Sequence, residues 1–317
     1  MSPFTKNTFD SVASLGEEKL IAAIRRWLGP ASPPTPHGMG DDCAVLPASA
    51  RQQVITVDPV IYGRHFDDQV PPRAVGAKLL KRNLSDLAAM GAHPTAAVVA
   101  LTLDPRVSLS WLEKFYRGLA SCARDYHVLI VGGDIAQADG IVAASLTLLG
   151  QAAGPRLLLR TGGKIGDWIY TTGKLGGSLV SHHFEFAPRL AEGAWLAARA
   201  ETRAMIDLSD GLAKDLPALT PANAEPSITA SDIPINRDVA RLARISGRTP
   251  LAHALGDGED YELLFLVAKN ADRAAFELAW RRRFRTPLFC LGRFVRRGER
   301  PTGTIDLADY HGYEHLR

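Results

Sequence analysis

The stretch that decides the fold spans residues 94–150 and reads PTAAVVALTLDPRVSLSWLEKFYRGLASCARDYHVLIVGGDIAQADGIVAASLTLLG. Its first apolar run, residues 95–103, predicts a buried strand, and residues 127–131 and 142–149 are also strand-like. Residues 110–125 repeat apolar side chains on one helical face, and Ser110 with Glu113 has the pattern of a capping box. A strand, a helix and two further strands in succession indicate a mixed α/β domain.

Outward from this stretch, the same criteria predict further elements on both sides. A linker with four prolines at residues 29–38 follows the first predicted helix. Residues 151–160 are the predicted connection between the two domains. The predicted helices are residues 17–28, 74–90, 188–199 and 271–283, and the predicted strands are residues 43–46, 53–57, 167–172, 204–208 and 261–267. We therefore predict an α/β protein with two domains, residues 1–150 and 151–317.

Composition excludes several classes of protein. The 317 residues contain 37 basic and 34 acidic side chains, and the net charge of +3 gives no case for a nucleic-acid partner. No apolar run reaches the length of a membrane span, and residues 1–20 lack a signal-peptide core. Cys43, Cys122 and Cys290 fit neither a disulfide framework nor a zinc site. We expect a cytoplasmic globular protein with no membrane or nucleic-acid partner.

The informative feature is a set of carboxylates placed where apolar runs meet turns. They belong to the segments GDD (40–42), VDP (57–59), NLSD (83–86), GGD (132–134) and IDLSDG (206–211). Carboxylates converging at strand ends would repel one another unless cations bind, and Mg²⁺ shared with phosphate oxygens suits such ligands. Each Asp alone is more often a turn former or a helix cap, as Asp207 would be for a helix starting at Leu208. Spacing by itself leaves both interpretations open.

Other chemical motifs are weak or missing. Gly173-Lys174 lacks the rest of a P-loop, and no Gly-x-Ser-x-Gly sequence occurs. Gly132-Gly133 would bring backbone N–H groups close to a phosphate, although a tight turn explains the pair equally well. His182-His183 is a candidate metal-binding pair, but adjacent side chains point in different directions, so a position on the surface is the preferred interpretation.

In combination, these segments resemble thiamine-monophosphate kinase through nearly the whole chain. The similar motifs are GMGDDCAVL (38–46), VDPVIYGRHF (57–66), NLSDLAAMGAHP (83–94), IVGGD (130–134), RTGGKIGDWIYTTGKLG (160–176), IDLSDGLAKDL (206–216), GDGEDYELLF (256–265) and HGY (311–313). The resemblance implies the aminoimidazole-ribonucleotide-synthetase-like superfamily, with an N-terminal mixed sheet, a C-terminal α/β domain, and usually a homodimer with ATP at the dimer interface. It also implies Mg²⁺-dependent transfer of the γ-phosphate of ATP to thiamine monophosphate, which gives thiamine diphosphate.

The resemblance carries site roles to matching positions of this chain. The implied Mg²⁺ ligands are Asp42, Thr56, Asp58, Asp86, Asp134, Asp207 and Asp210, of which Asp134 and Asp210 are also the implied catalytic residues. The implied ATP contacts are Gly133, Arg160, Ser209 and Tyr126, and the implied contacts to thiamine phosphate are His65, Glu259 and Tyr313.

The chain departs from the family pattern at a few positions. Val57 replaces a threonine, Pro59 follows Asp58, Ile135-Ala136-Gln137 replaces Thr-Thr-Arg, and residues 178–189 are shorter than in the family. Two alternatives follow from these departures. One is a related phosphoryl-transfer enzyme with another acceptor, and the other is a protein that binds a nucleotide or thiamine phosphate without catalysis.

Overall fold

The computed structural model describes residues 1–35, 37–39 and 43–313, and the chain divides into two compact units. Unit 1 comprises Met1–Leu87 and His93–Ala152, and unit 2 comprises Ala88–Ala92 and Ala153–Arg317. Each unit has its own sheet and its own helices, which confirms the predicted mixed α/β fold.

Unit 1 contains a four-stranded mixed sheet. Its elements are α1 (Glu17–Leu28), β1 (Gln53–Ile61), α2 (Pro72–Met90), β2 (Ala92–Leu103), α3 (Leu109–Asp125), β3 (Leu129–Gln137) and β4 (Val142–Ala152). The strand order is β1-β4-β2-β3, with β1 antiparallel to β4 and β2 parallel to β3. Consequently β1 and β3 lie at opposite edges of the sheet.

Burial in unit 1 follows the period of each element. Along β4 buried and half-buried residues alternate strictly, as expected for a strand with one face against the core. Helix α3 buries Trp111, Leu112 and Phe115 on one face, as the spacing predicts. Its cap, however, is Ser108, whose Oγ accepts the Trp111 N–H at 3.1 Å. The predicted cap at Ser110 is wrong, because the helix starts one residue earlier, at Leu109.

Helices α2 and α3 approach each other backbone to backbone through two glycines. A Cβ atom at Gly76 would lie 2.0 Å from the Phe115 carbonyl oxygen, and one at Gly118 would lie 2.0 Å from the Arg73 carbonyl oxygen. Any larger residue at either position would push the helices apart. The first turn of α2 is thereby held against the middle of α3.

Unit 2 is built on a five-stranded sheet of order β6-β8-β5-β9-β7, in which all four neighbouring pairs are antiparallel. Its strands are β5 (Trp168–Thr172), β6 (Thr202–Asp207), β7 (Ala224–Ile228), β8 (Leu263–Val267) and β9 (Leu288–Arg296). Its helices are α4 (His182–Glu185), α5 (Leu190–Ala197), α6 (Leu212–Asp215), α7 (Val239–Ser246), α8 (Pro250–Gly256) and α9 (Arg273–Arg283).

Strand β8 shows why both faces of this sheet are covered. All five of its residues are buried. Leu264 and Leu266 belong to one apolar cluster, whereas Leu263, Phe265 and Val267 belong to a second. Because successive side chains of a strand point to opposite faces, the two clusters form a core on each side of the sheet.

Two further expectations from the sequence are wrong. Residues 43–46 form no strand. The site carboxylates do not all stand where apolar runs meet turns: Asp58 lies within β1, Asp86 within α2 and Asp134 within β3. Among the described residues, no helix has the length and apolar character needed to cross a membrane.

Candidate functional site

In unit 1, three of the predicted site residues meet between β1 and α2, and the alternation of β1 places two of them on one face. Thr56 and Asp58 are half-buried, whereas Val57 between them points to the other face and is 60% exposed. The Thr56 hydroxyl donates to Asp86 Oδ2 of α2 at 2.5 Å. Thr56, Asp58 and Asp86 therefore form an oxygen-rich cluster between β1 and α2.

Arg82, one helical turn before Asp86, completes this cluster and was not predicted. Its Nη2 lies 3.4 Å from Asp58 Oδ1, and its Nη1 donates to the Pro59 carbonyl at 2.6 Å. Because residues four apart share a helix face, Arg82 and Asp86 both face β1. The guanidinium balances part of the negative charge that two carboxylates bring to one place.

His65 is fixed in the turn after β1. Its Nδ1 accepts the Ile61 N–H at 3.1 Å, and the buried Lys78 donates to its backbone carbonyl at 2.9 Å. The first bond leaves Nε2 as the ring nitrogen that carries the proton in the neutral imidazole.

Gly133 and Asp134 lie in β3, at the other edge of the sheet. A Cβ atom at Gly133 would lie 2.1 Å from the Val99 carbonyl, so only glycine allows β2 and β3 to pair here. Three strand spacings separate β1 from β3, about 14 Å at the usual 4.7–4.9 Å per strand. Unit 1 alone therefore does not bring exposed Asp134 to Thr56, Asp58 and Asp86.

In unit 2, two loops run side by side and carry several predicted residues. Asp207 ends β6 and is buried, so it does not cap a helix at Leu208 as the alternative interpretation supposed. The loop that follows accepts two hydrogen bonds from residues 257–262: Glu259 N–H donates to the Ser209 carbonyl at 2.7 Å, and Tyr261 N–H to the Leu208 carbonyl at 2.8 Å. This pairing fixes Ser209 beside Glu259.

The backbone of this second loop is strained. Glu259 and Tyr261 have φ angles of 54° and 50°, in the left-handed region that residues with large side chains rarely adopt. Each such residue costs about 1–3 kcal/mol and persists only where surrounding contacts hold it. Strain at two positions so close together is typical of a functional loop.

The Glu259 carboxylate is held by two side chains that the sequence did not identify. Tyr261 OH donates to Oε1 at 3.2 Å, and His183 Nδ1 lies 3.4 Å from Oε2. The His183 side chain is only 12% exposed, so its predicted surface position is wrong. Phe186 stacks on Tyr261 with ring centroids 4.0 Å apart. The shortened segment 178–189 thus supplies one wall of the Glu259 site.

The C-terminal segment closes over Asp210. Tyr313 N–H donates to the Asp210 carbonyl at 2.9 Å, and Lys214 Nζ donates to the Tyr313 carbonyl at 2.6 Å. The same ammonium lies 2.9 Å from Asp210 Oδ2. Residues 310–313 also line a cavity of about 550 Å³, together with Arg248 and Asp257. Asp210 and Tyr313 are therefore brought together, with Lys214 joining them.

Two carboxyls near this loop have raised pKa values. Burial raises the pKa of Asp215 to about 7, against the lowering effect of the Asp210 N–H, which its Oδ2 accepts at 3.0 Å. Burial also raises the pKa of Asp260 well above its ordinary value of 3.8, although Oδ1 accepts the Gly176 N–H at 2.8 Å. Within the described ranges, Asp260 Oδ2 has no hydrogen-bond partner.

The raised pKa of Asp260 predicts a pH-dependent stability. The folded chain keeps a proton on Asp260 that the unfolded chain releases above pH 3.8. The stability from this proton is full below pH 3.8 and is lost as the pH rises through the folded-state pKa. Asp260→Asn keeps an oxygen for Gly176 and carries no charge, so its unfolding free energy should fall less than that of the parent as the pH rises above about 4.

Urea unfolding at a series of pH values measures this difference, with exposed Asp139→Asn as a control that leaves the pH profile of the parent unchanged. Parallel pH profiles for the Asp260→Asn variant and the parent would mean that Asp260 is ionised in the folded chain.

The other predicted residues are placed as follows. Arg160 is exposed in unit 2, and Tyr126 is the residue after α3 in unit 1. Asp42 lies outside the described residues. Among those described, no three His, Cys, Asp or Glu side chains lie close enough to hold a metal by themselves.

Comparison with known proteins shows the class of protein to which this chain belongs. Residues 40–152 match the family model "AIR synthase related protein, N-terminal domain". The chain is 38% identical over 241 residues to the thiamine-monophosphate kinase of Rhodopirellula baltica, covering 73% of this chain and 76% of the relative. It is 34% identical over 311 residues to the Escherichia coli K12 thiamine-monophosphate kinase, covering 88% and 91%. The chain belongs to the thiamine-monophosphate kinase family, as the motifs predict.

A solved structure agrees with this assignment. The structure described as "AaThiL complexed with AMPPCP and TMP" superposes with a TM-score of 0.71 at 25% identity, over 96% of this chain and 98% of that one. The fold predicted from the motifs is therefore confirmed.

Proposed function

We propose that this chain transfers the γ-phosphate of ATP to thiamine monophosphate and releases ADP and thiamine diphosphate. The observation that carries the proposal is the loop pair of unit 2, which holds Ser209 and Asp210 beside Glu259 and under Tyr313. These are residues of the motifs that the chain has in common with the kinase family. Relatives named for this activity, and a neighbour complexed with AMPPCP and TMP, support the choice of substrates.

The donor set fits Mg²⁺. Thr56, Asp58 and Asp86 in unit 1, and Asp207 and Asp210 in unit 2, offer hard oxygen ligands. Mg²⁺ usually takes only one or two carboxylates and fills its other positions with water and phosphate oxygens. One Mg²⁺ site therefore does not need three carboxylates close together. These residues, with Asp42 and Asp134, are the proposed ligands. Bound Mg²⁺ would supply charge neutralisation on the phosphates.

Two of the departures from the family pattern, Val57 and Pro59, do not disturb this set. Val57 points away from the face that carries Thr56 and Asp58, so its missing hydroxyl removes no oxygen from their cluster. Pro59 lies in an edge strand, where a residue without an N–H is tolerated, and its carbonyl accepts from Arg82. Ile135-Ala136-Gln137, where the family has Thr-Thr-Arg, is the departure that favours a protein that binds its ligands without catalysis.

The chemistry needs no general base from the chain. A phosphate oxygen of thiamine monophosphate, already anionic at neutral pH, attacks the γ-phosphorus in line with the leaving oxygen. The P–O bond to ADP breaks as the new P–O bond forms, and no phosphoenzyme arises. Gly133, Arg160, Ser209 and Tyr126 are the proposed ATP contacts. His65, Glu259 and Tyr313 are the proposed contacts to thiamine phosphate.

Glu259 suits a cationic acceptor. Its carboxylate lies in a partly buried position with Tyr261 and His183 as fixed neighbours, so it presents a negative charge in a defined direction. The thiazolium ring of thiamine monophosphate carries the matching positive charge. Tyr313 offers an aromatic face, for which a cation–π contact contributes about 0.5–2 kcal/mol.

The test is a coupled assay for thiamine diphosphate with ATP, with and without Mg²⁺. We expect thiamine diphosphate and ADP in equal amounts, and no product once the metal is chelated. Unphosphorylated thiamine and a simple phosphate monoester serve as alternative acceptors. ADP formation with another acceptor alone would indicate a different kinase, and binding of both substrates without product would indicate a non-catalytic protein. A homodimer and a cytoplasmic location remain predictions.

Lys214 provides a further prediction, since it joins Asp210 to the Tyr313 carbonyl. We expect Lys214→Gln to loosen the C-terminal segment and to raise KM for thiamine monophosphate about five- to tenfold. This corresponds to about 1 kcal/mol, a modest value because the ammonium is partly exposed. Steady-state kinetics measure the effect, with exposed Lys269→Gln as the control. An unchanged KM would show that Tyr313 is held by its other contacts.

A further inference from the structure

A small pocket on unit 1 is bounded by side chains from three helices. Trp27 of α1, Arg73 of α2, and Arg117, Ser121 and Arg124 of α3 line a volume of about 130 Å³. None of these residues belongs to the motifs that define the family or to the proposed phosphoryl-transfer site.

The packing of unit 1 creates this pocket. Residues 117, 121 and 124 recur at intervals of four and three, so they lie along one face of α3. The contact of Gly118 with the Arg73 carbonyl brings the first turn of α2 against the same part of α3. Arg73 is thereby placed beside Arg117 and Ser121 by the backbone itself, and not by a flexible surface loop.

The pocket carries an excess of positive charge. Arg117 donates through Nε to Glu113 at 2.7 Å, which neutralises one guanidinium. The side chains of Arg73 and Arg124 make no hydrogen bond or ion pair with any residue in ranges 1–35, 37–39 and 43–313. Arg117 Nη2 lies 2.7 Å from the same Glu113 oxygen, and the guanidinium keeps further N–H groups available. The donors at this pocket thus outnumber the acceptors.

We propose that this pocket binds a phosphate group, either inorganic phosphate or the dianion of a phosphate monoester. The planar N–H fork of arginine matches phosphate oxygens two at a time. A tetrahedral dianion offers enough oxygens to accept from Arg73, Arg117 and Arg124 together and from the Ser121 hydroxyl. A single carboxylate carries half that charge and two oxygens, so it satisfies fewer of these donors.

Such a ligand would connect α2 and α3. Because it binds only the folded arrangement, it would stabilise unit 1 in proportion to its occupancy. Its binding requires neither nucleotide nor metal. The proposal is therefore independent of the kinase activity and stands or fails separately.

Isothermal titration calorimetry on the full chain, without nucleotide or divalent metal, tests the site. Inorganic phosphate and glycerol phosphate are titrated at constant ionic strength set with chloride. We expect saturable binding with a Kd of about 1 mM or tighter for the parent chain. Arg73→Gln and Arg124→Gln should each raise Kd at least about fivefold, and the double variant should show no binding. Arg241→Gln, an exposed arginine of α7 in unit 2, should bind as the parent does.

Ser121→Ala removes one donor without a change in charge, and it should weaken binding about two- to fivefold. Equal affinities for the two ligands would mean that recognition ends at the phosphate group. Tighter binding of glycerol phosphate would identify a monoester as the ligand.

Absence of saturable binding to the parent chain would overturn the proposal. So would phosphate binding that persists in the folded Arg73→Gln/Arg124→Gln variant, since the anion would then occupy another place. Binding of poly-glutamate that phosphate does not displace would also overturn it, because the pocket would then be a docking surface for an acidic peptide.

Discussion

Asp210→Asn is expected to lower kcat for thiamine diphosphate formation about a thousandfold, equivalent to about 4 kcal/mol of transition-state stabilisation. Asp210 is a proposed metal ligand in the first of the two paired loops of unit 2. Its carbonyl accepts from Tyr313, and its carboxylate lies 2.9 Å from Lys214 Nζ. Asparagine keeps the size and one oxygen but loses the charge that holds Mg²⁺ against the phosphates. The loss should therefore appear in kcat rather than in folding.

The measurement is a steady-state assay at saturating ATP and thiamine monophosphate over a range of Mg²⁺ concentrations. Asp238→Asn, an exposed carboxylate of the same unit, is the matched control and should retain the parent rate. Thermal unfolding of both variants checks that the fold is intact. A parent-like kcat for Asp210→Asn would remove Asp210 from the proposed ligands and leave the loop with a structural role.

The sequence predicted those parts of the fold that depend on local periodicity. Helix α1 has the predicted bounds, and the strand within residues 95–103 and the helix ending at residue 125 were also found. Strands β7 and β9 and helices α7 and α8 were not predicted. They are short or carry mixed residues, and their stability comes from neighbours distant in sequence, as in the pairing of β7 with β9.

The residues of the candidate site were likewise predicted only in part. Motif resemblance identified Thr56, Asp58 and Asp86, which the structure joins, although the argument that such carboxylates stand at turns was wrong for Asp58 and Asp86. No local pattern identifies His183 as the neighbour of Glu259, because the contact connects segments far apart in the chain. A signal was available for Arg82, which precedes Asp86 by one helical turn.

The left-handed conformations of Glu259 and Tyr261 were equally inaccessible to sequence reasoning. A left-handed turn is normally predicted from glycine or asparagine, and neither residue is of that type. Here the conformation is imposed by hydrogen bonds to Leu208 and Ser209. Local preference and tertiary structure conflict at this loop, as is common where a chain is constrained by function.

Below this loop, Glu262 and Arg189 form a buried ion pair whose disruption should have the largest effect on stability. Glu262 is 3% exposed, and its two oxygens accept from Arg189 Nε at 2.7 Å and Nη2 at 2.5 Å. Thr172 also donates to it at 2.6 Å. Arg189→Met would leave a buried carboxylate without its counter-charge, and we expect unit 2 to lose about 3–5 kcal/mol of unfolding free energy.

A double-mutant cycle measures the coupling energy between Arg189 and Glu262 separately from the effect of each substitution alone. Glu262→Gln removes the charge but keeps an acceptor for Thr172, so the variant with both Arg189→Met and Glu262→Gln should recover a large share of the loss. Urea unfolding followed by tryptophan fluorescence gives the four free energies. Additive effects would show that the two side chains do not interact. A coupling of at least about 2 kcal/mol would show that the two side chains stabilise each other at a position next to the strained loop, since Glu262 follows Tyr261 directly and its backbone carbonyl accepts the Leu208 N–H.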